Sequence, residues 1–228
     1  MEQLYNKFLE IYSKFYTYDL KYSLLIGREY ELIYNFLIVY NSSILSEKSM
    51  SDSFEDLNKL EELVNDYIDK LKNIFEDEDE GQEFVKVDTI RISNILKDSE
   101  CVWEHMFKSY NFLTKFTQCN YHKVLLIEIN NFFSHILATS QDKDTQDTKS
   151  NIKRGVAHLY RAALDGCKEI IKTSSNIICA NSSLKVSFLK VRTQESLFLG
   201  QKSTADKCDI LKQYDNMANT ILTLLKRA

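Results

Sequence analysis

Six side chains in the segment 151–178 have the types and the spacing to do chemistry: Arg154, His158, Arg161, Asp165, Lys168 and Lys172. They follow one another at steps of 4, 3, 4, 3 and 4, which on an α-helix puts all six on one side of the cylinder. A histidine set among arginines suits phosphodiester chemistry. The guanidinium steadies negative charge developing on a phosphate, and the imidazole moves a proton near neutral pH. In that role His158 is the candidate acid–base, and Arg154 or Arg161 the phosphate ligand. Asp165 can pair with Arg161 at (i, i+4) and so hold the His158–Arg161 pair in place. A different use of the stripe takes Arg154, Arg161, Lys168 and Lys172, aided by Lys185, Lys190 and Arg192, as a contact for a nucleic-acid backbone, with affinity that falls steeply with salt. Taken as ordinary surface, the same residues form a solvated or salt-bridged helix face.

Over residues 151–180 the stripe resembles the HEPN superfamily of all-α prokaryotic proteins, many of which are metal-independent ribonucleases of toxin and antiviral systems. The resemblance rests on Arg154-Gly155-Val156-Ala157-His158 and on His158-Leu159-Tyr160-Arg161-Ala162-Ala163-Leu164-Asp165. It implies a small helical bundle, two protomers that bring their motifs together, and catalytic work for His158 with an arginine. The family motif sets four to six residues between its Arg and its His, whereas three lie between Arg154 and His158. A helix turns by about 100° per residue, so the shorter spacing moves the pair around the axis.

The remaining candidates are poorer. His122, Glu128 and His135 share one apolar segment, but a di-metal bundle site needs Glu-x-x-His motifs, and neither that pattern nor HExxH occurs. Glu104 and His105 are neighbours in sequence, so on a helix they diverge. No glycine-rich phosphate loop exists among the five glycines. No metal and no cofactor is therefore expected. The five cysteines, at 101, 119, 167, 179 and 208, are odd in number and lack CxxC spacing. That argues against a disulfide framework and for small apolar residues in a reducing compartment.

The elements that must carry these residues follow from one pair of counts: no proline and 5 glycines in 228 residues. Sheets and α/β enzymes need many tight turns, which draw on both residues. Their scarcity predicts an all-α bundle of about six to eight helices. Apolar residues at helical period place a long N-terminal helix or helix pair over 2–45, with Gly27 as a kink. Eight tyrosines fall by residue 40, either an aromatic platform or core packing. A break begins at Asn41-Ser42-Ser43. A helix capped by Asp52 or Ser53 runs through Phe75 into the acidic run Glu76–Glu80, read as a solvated loop. Further helices are expected over 84–117 (core candidates Val87, Ile90, Ile95, Trp103, Phe107, Phe112 and Phe116), 121–139 and 151–178. The polar stretch 141–150 reads as a linker between an N-terminal part, 1–140, and a C-terminal part, 151–228, packed on it as one domain. The alternation Leu184, Val186, Phe188 suggests a short strand, and Leu197–Leu199 a helix end before Gly200. Ser203 with Asp206 is a capping box that opens a last helix through Leu225.

Net charge is −4, so no global basic field draws nucleic acid or anionic lipid. The N-terminus does not read as a signal peptide, and the most apolar run, Leu32–Tyr40, is short of the roughly 20 residues that span a bilayer. A cytoplasmic protein without a membrane segment is expected. Abundant amphipathic helices without a catalytic motif fit a non-catalytic interaction subunit of a larger microbial assembly, of an antiviral-defence or mobile-element kind, with a protein partner in a hetero-complex or homodimer. The alternatives are a HEPN-like ribonuclease or an inactive relative, and an accessory protein that binds RNA or DNA.

Overall fold

Without proline, nothing in the chain removes a backbone donor from a helix interior, and the structure is helical almost throughout. The computed structural model describes residues 2–46, 48–78, 89–141, 145–197 and 203–226. These form α1 (Glu2–Ile26), α2 (Tyr30–Val39) with a π-helical turn (Tyr40–Ile44), α3 (Met50–Phe75), α4 (Thr89–Thr117), α5 (Lys123–Gln141), α6 (Thr145–Thr173), α7 (Ser175–Ala180), α8 (Ser182–Leu197) and α9 (Thr204–Leu225). Among the described residues there is no strand, and eight of the nine α-helices exceed six residues. The all-α expectation holds.

Helix ends show how the chain turns with so little glycine. Gly27 closes α1 at φ +85°, the conformation for which glycine has no steric penalty. The ends of α3 and α4 instead place Glu76 (φ 52°) and Gln118 (φ 56°) in the same left-handed region, where a side chain costs roughly 1–2 kcal/mol. The N-termini of α3, α8 and α9 are capped by side chains. The Ser49 hydroxyl accepts the Asp52 N–H at the head of α3, one turn earlier than the Asp52/Ser53 start expected from sequence. Asp56 serves elsewhere, accepting from Ser43 and Lys48. The Ser203–Asp206 capping box is present at α9.

Three other readings change. Residues 184–197 are helix, not strand: Leu184, Phe188, Val191 and Glu195 recur at helical steps on the inward side, and the Asn181 side chain caps α8 by accepting the Leu184 N–H at 3.1 Å. The break expected at Asn41 comes later, because the helix widens into the π-turn through Ile44 before it stops. The linker is shorter than 141–150, since Gln141 belongs to α5 and Thr145 already to α6. Residues 142–144, the acidic run beyond Glu78, Val87, and the Phe198–Gly200 end lie outside the described residues, as do the side chains of Ile90 and Ile95.

The chain divides into two compact units, Met1–Ser93 with Phe133–Ile152, and Asn94–Phe132 with Lys153–Ala228. The first has an aromatic core. Phe8 touches Phe36, Tyr40 and Phe133 at centroid distances of 5.6, 5.2 and 5.3 Å, and Tyr12 meets Phe36 and Phe133 at 5.2 and 5.5 Å. Most of the N-terminal tyrosines are thus core residues; Tyr5, Tyr12, Tyr18, Tyr22 and Tyr40 are all buried. α1 and α3 are tied along their length by Lys7 and Lys14 on Glu61, and by Lys21 and Tyr22 on Asp77. Asp77 is therefore a structural anchor and not merely part of a solvated acidic loop.

In the second unit α4, α6 and α9 share a core. α4 comes close to α6 where Ser109 donates to the Ala163 carbonyl at 2.8 Å, opposite Gly166. A Cβ on Gly166 would stand 2.3 Å from the Ser109 oxygen, so any side chain there would force that hydroxyl to move from its place on the Ala163 carbonyl. Leu159, Ala162, Ala163, Cys167 and Ile170 of α6 are fully buried. That fixes which face of α6 points outward.

Candidate functional site

The outward face of α6 carries the stripe from Arg154 to Lys172. Its members are exposed or half-buried, as the spacing requires. Tertiary structure then divides it into two groups by what the neighbouring helices offer.

The first group forms around Glu128 of α5. Glu128 is the one charged residue between Lys123 and Gln141, and a carboxylate on an otherwise apolar helix needs a cationic or donating partner. It finds two on α6. His158 Nδ1 lies 2.6 Å from Glu128 Oε2, and Arg161 Nε donates to the same oxygen at 3.1 Å. Arg161 also reaches His158 Nδ1 at 2.5 Å. One ring nitrogen cannot donate and accept at once. When it carries a proton, Nδ1 donates to Glu128; when it does not, it accepts from Arg161. His158 and Glu128 are largely enclosed, while Arg161 extends into solvent. The expected Arg161–Asp165 ion pair does not form, because Arg161 turns to Glu128. Arg154, one turn before His158, is exposed and has no ion pair among the described residues.

The second group lines a groove of about 570 Å³ between the start of α5 and the later half of α6. Asp165, Lys168, Glu169 and Lys172 form one wall, and Leu113, Tyr121, His122 and Val124 much of the rest. His122 is half-buried, contacts Thr114 at 3.4 Å and meets the edge of Tyr110. Burial pushes its imidazole pKa down. Asp165 reaches solvent, yet the protein around it raises its carboxyl through desolvation, which the Lys168 and Arg161 charges only partly offset. Lys168 is committed to Glu195 of α8 at 2.7 Å. Of the four cations proposed as phosphate contacts, Arg161 and Lys168 are therefore held by carboxylates, which leaves Arg154 and Lys172 without an ion pair among the described residues. His158 and Arg161 do not line this groove.

A third cluster was not anticipated. His105 Nδ1 lies 2.5 Å from Asp215 Oδ2, and the Cys167 thiol lies 3.5 Å from both Asp215 Oδ1 and Ser109 Oγ. The thiol is fully buried and desolvation raises its pKa far above the ordinary range, so it is no nucleophile. Its contact is with the carboxylate and not with the imidazole, an order unlike that of a nucleophile–base–orienter triad. The signal in the sequence was Asp215, an acid on the apolar stripe of α9 between Tyr214 and Met217.

The cysteines also differ from expectation. Only Cys167 is a buried apolar-type residue; Cys119 and Cys179 are exposed, and Cys101 and Cys208 are disulfide-bonded between α4 and α9 with Cα atoms 6.3 Å apart. Among the described residues no group of three His, Cys, Asp or Glu side chains converges to hold a metal, and no helix is long and apolar enough to cross a membrane. The chain matches no family model, no curated protein and no solved structure.

Proposed function

We propose that this protein is a non-catalytic interaction subunit that docks a partner protein through the exposed apolar end of α1. The observation that carries this reading is the cluster Leu20, Leu24, Leu25 and Ile26, with Leu24 95 % and Leu25 72 % exposed. Scattered single apolar residues are normal on a surface; four within seven residues at one helix end form a patch. Helix ends bearing such a patch suit an apolar groove on a partner. The α6 stripe fits the same reading, since its histidine and two of its cations are engaged by Glu128 and Glu195.

The test is purification of the tagged chain from its native host, followed by size-exclusion chromatography. A stoichiometric complex is expected from the wild type and a loss of the partner from Leu24→Asp/Leu25→Asp. Since both side chains stand in solvent, the variant keeps its helical circular dichroism. Recovery of the wild type as a lone chain, or an unchanged complex in the variant, refutes the reading.

A ribonuclease is the second reading, and one observation favours it: His158 and Arg161 are in contact, with Glu128 oriented on the imidazole. In that case His158→Ala and Arg161→Ala each abolish cleavage of RNA, and Glu128→Gln lowers it by disturbing the ring's hydrogen bond. RNA cleavage by purified wild-type chain that persists in His158→Ala removes it.

A further inference from the structure

The inner side of α8 is accounted for by packing: Leu184 and Val191 are buried and Phe188 is half-buried. The opposite side is not. Val186, Leu189, Thr193 and Leu197, at steps of 3, 4 and 4, form one solvent-facing line along the helix. Val186, Leu189 and Leu197 are each more than half exposed. Lys185 borders the line on one side, four residues before Leu189, and Lys190 on the other, four residues after Val186. Neither lysine has an ion pair among the described residues, whereas Arg192 is held by Glu195 at 2.6 Å. An apolar line between two unpaired cations is complementary to an apolar line beside unpaired carboxylates.

The first unit presents such a face. On α3, Glu62, Asp66 and Asp69 are exposed at steps of 4 and 3, and none has an ion pair among the described residues. Beside them Leu63 and Ile74 stand in solvent, eleven residues and three turns apart, hence on one line; the exposed Lys70 shares that line, and the three carboxylates outnumber it. We propose that α8 of one copy packs on α3 of a second copy of this chain, with Val186 and Leu189 against Leu63 and with Lys185 and Lys190 meeting Glu62, Asp66 and Asp69. A nucleic-acid backbone would answer the lysines alone; α3 answers the charges and the leucines together. Each copy offers one face of each kind, so the contact is heterologous.

The contact is small. α8 has 16 residues and is about 24 Å long, and one helix laid on another covers less than the roughly 800 Å² per partner of a standard interface. Association is therefore weak, dependent on concentration, and stronger at low salt.

Sedimentation equilibrium of the full chain tests this at about 10 mM and about 1 M salt, where charges are screened over roughly 30 and 3 Å. At low salt the weight-average mass should climb with concentration from 26.7 kDa to twice that value and beyond, since every added copy leaves one free face of each kind, and at high salt the climb should shrink. Lys185→Glu/Lys190→Glu and Glu62→Lys/Asp66→Lys should each give a single chain. Mixed in equal amounts, those two variants should associate again, because the unaltered α8 of the second fits the unaltered α3 of the first and the reversed α8 of the first fits the reversed α3 of the second. All four positions are exposed, so unchanged circular dichroism is expected. A wild type that stays single at every concentration, an association indifferent to both reversals, or a mixture that stays single overturns the proposal. Binding of a single-chain wild type to phosphatidylserine vesicles, lost in Lys185→Glu/Lys190→Glu, would assign α8 to an anionic membrane surface instead. Leu24→Asp/Leu25→Asp should self-associate like the wild type, which separates this test from that of the α1 patch.

Discussion

Around Phe8 in the first unit, rings of Phe36, Tyr40 and Phe133 close in at little more than 5 Å; around Cys167 in the second, a thiol, a hydroxyl, a carboxylate and an imidazole meet in a buried chain. The two cores place different demands on the sequence. Ring packing is non-directional and tolerates small shifts of a helix along its axis. A buried polar chain does not, because each donor must reach its acceptor within hydrogen-bond distance or leave a desolvated group unpaired. The first core therefore depends on volume, and the second on register.

Truncation in the aromatic core should have the largest effect. Phe8→Ala empties a fully enclosed site and should cost about 3–5 kcal/mol, read as a lower denaturant midpoint by far-UV circular dichroism. A loss under 1 kcal/mol would show that the rings are not the organising contacts. Next is the polar chain. Asp215→Ala leaves His105 and Cys167 without their shared partner and should cost about 2–3 kcal/mol. Trp103, the only tryptophan, is buried in the second unit, so its fluorescence should report this variant's unfolding directly.

Register is tested more sharply at Gly166. Gly166→Ala drives a methyl against the Ser109 hydroxyl and should cost about 1–3 kcal/mol. In a Ser109→Ala background most of that added cost should disappear, a non-additivity expected of residues in contact. Additive losses in the double variant would mean that the close approach lies elsewhere.

Smaller still is the effect at Glu195. Burial alone would raise its carboxyl, but hydrogen bonds from Lys168 and Tyr214 outweigh that and hold its pKa below the ordinary range. A folded pKa below the unfolded one means that the stabilisation is present above the unfolded value of about 4.3 and is lost as pH falls through the folded value. Glu195→Gln should thus be about 1–2 kcal/mol less stable than wild type at pH 7, with the gap narrowing in titrated unfolding as pH falls below the unfolded value. A gap that stays the same at every acidic pH would point to packing in place of charge. Last, Asn181→Ala removes the α8 cap and should cost about 1 kcal/mol, with helix loss confined to α8 by amide exchange.

The contrast between the units also explains what could be read from the chain beforehand. Phe8, Tyr12, Phe36 and the apolar face of α6 declare themselves by period, and Ser203 with Asp206 by a local cap whose two partners lie three residues apart. The six-residue stripe of α6 is legible for the same reason. Its chemistry was not: Glu128, which holds both His158 and Arg161, is 30 and 33 residues away, and nothing within α6 announces it. The alternation at Leu184, Val186 and Phe188 misled because it samples both faces of a helix that is apolar inside and outside.

Helical class, helix faces and the Ser203–Asp206 cap were settled by the amino-acid order itself, because they depend on dihedral preference and on contacts within one or two turns. Which polar groups meet was settled only by tertiary structure: His105 with Asp215, Cys101 with Cys208, and Glu128 with His158. Each of those pairs requires two helices to agree in rotation and in height. Those two quantities are set by the packing of the whole core and are written in no single segment of the chain.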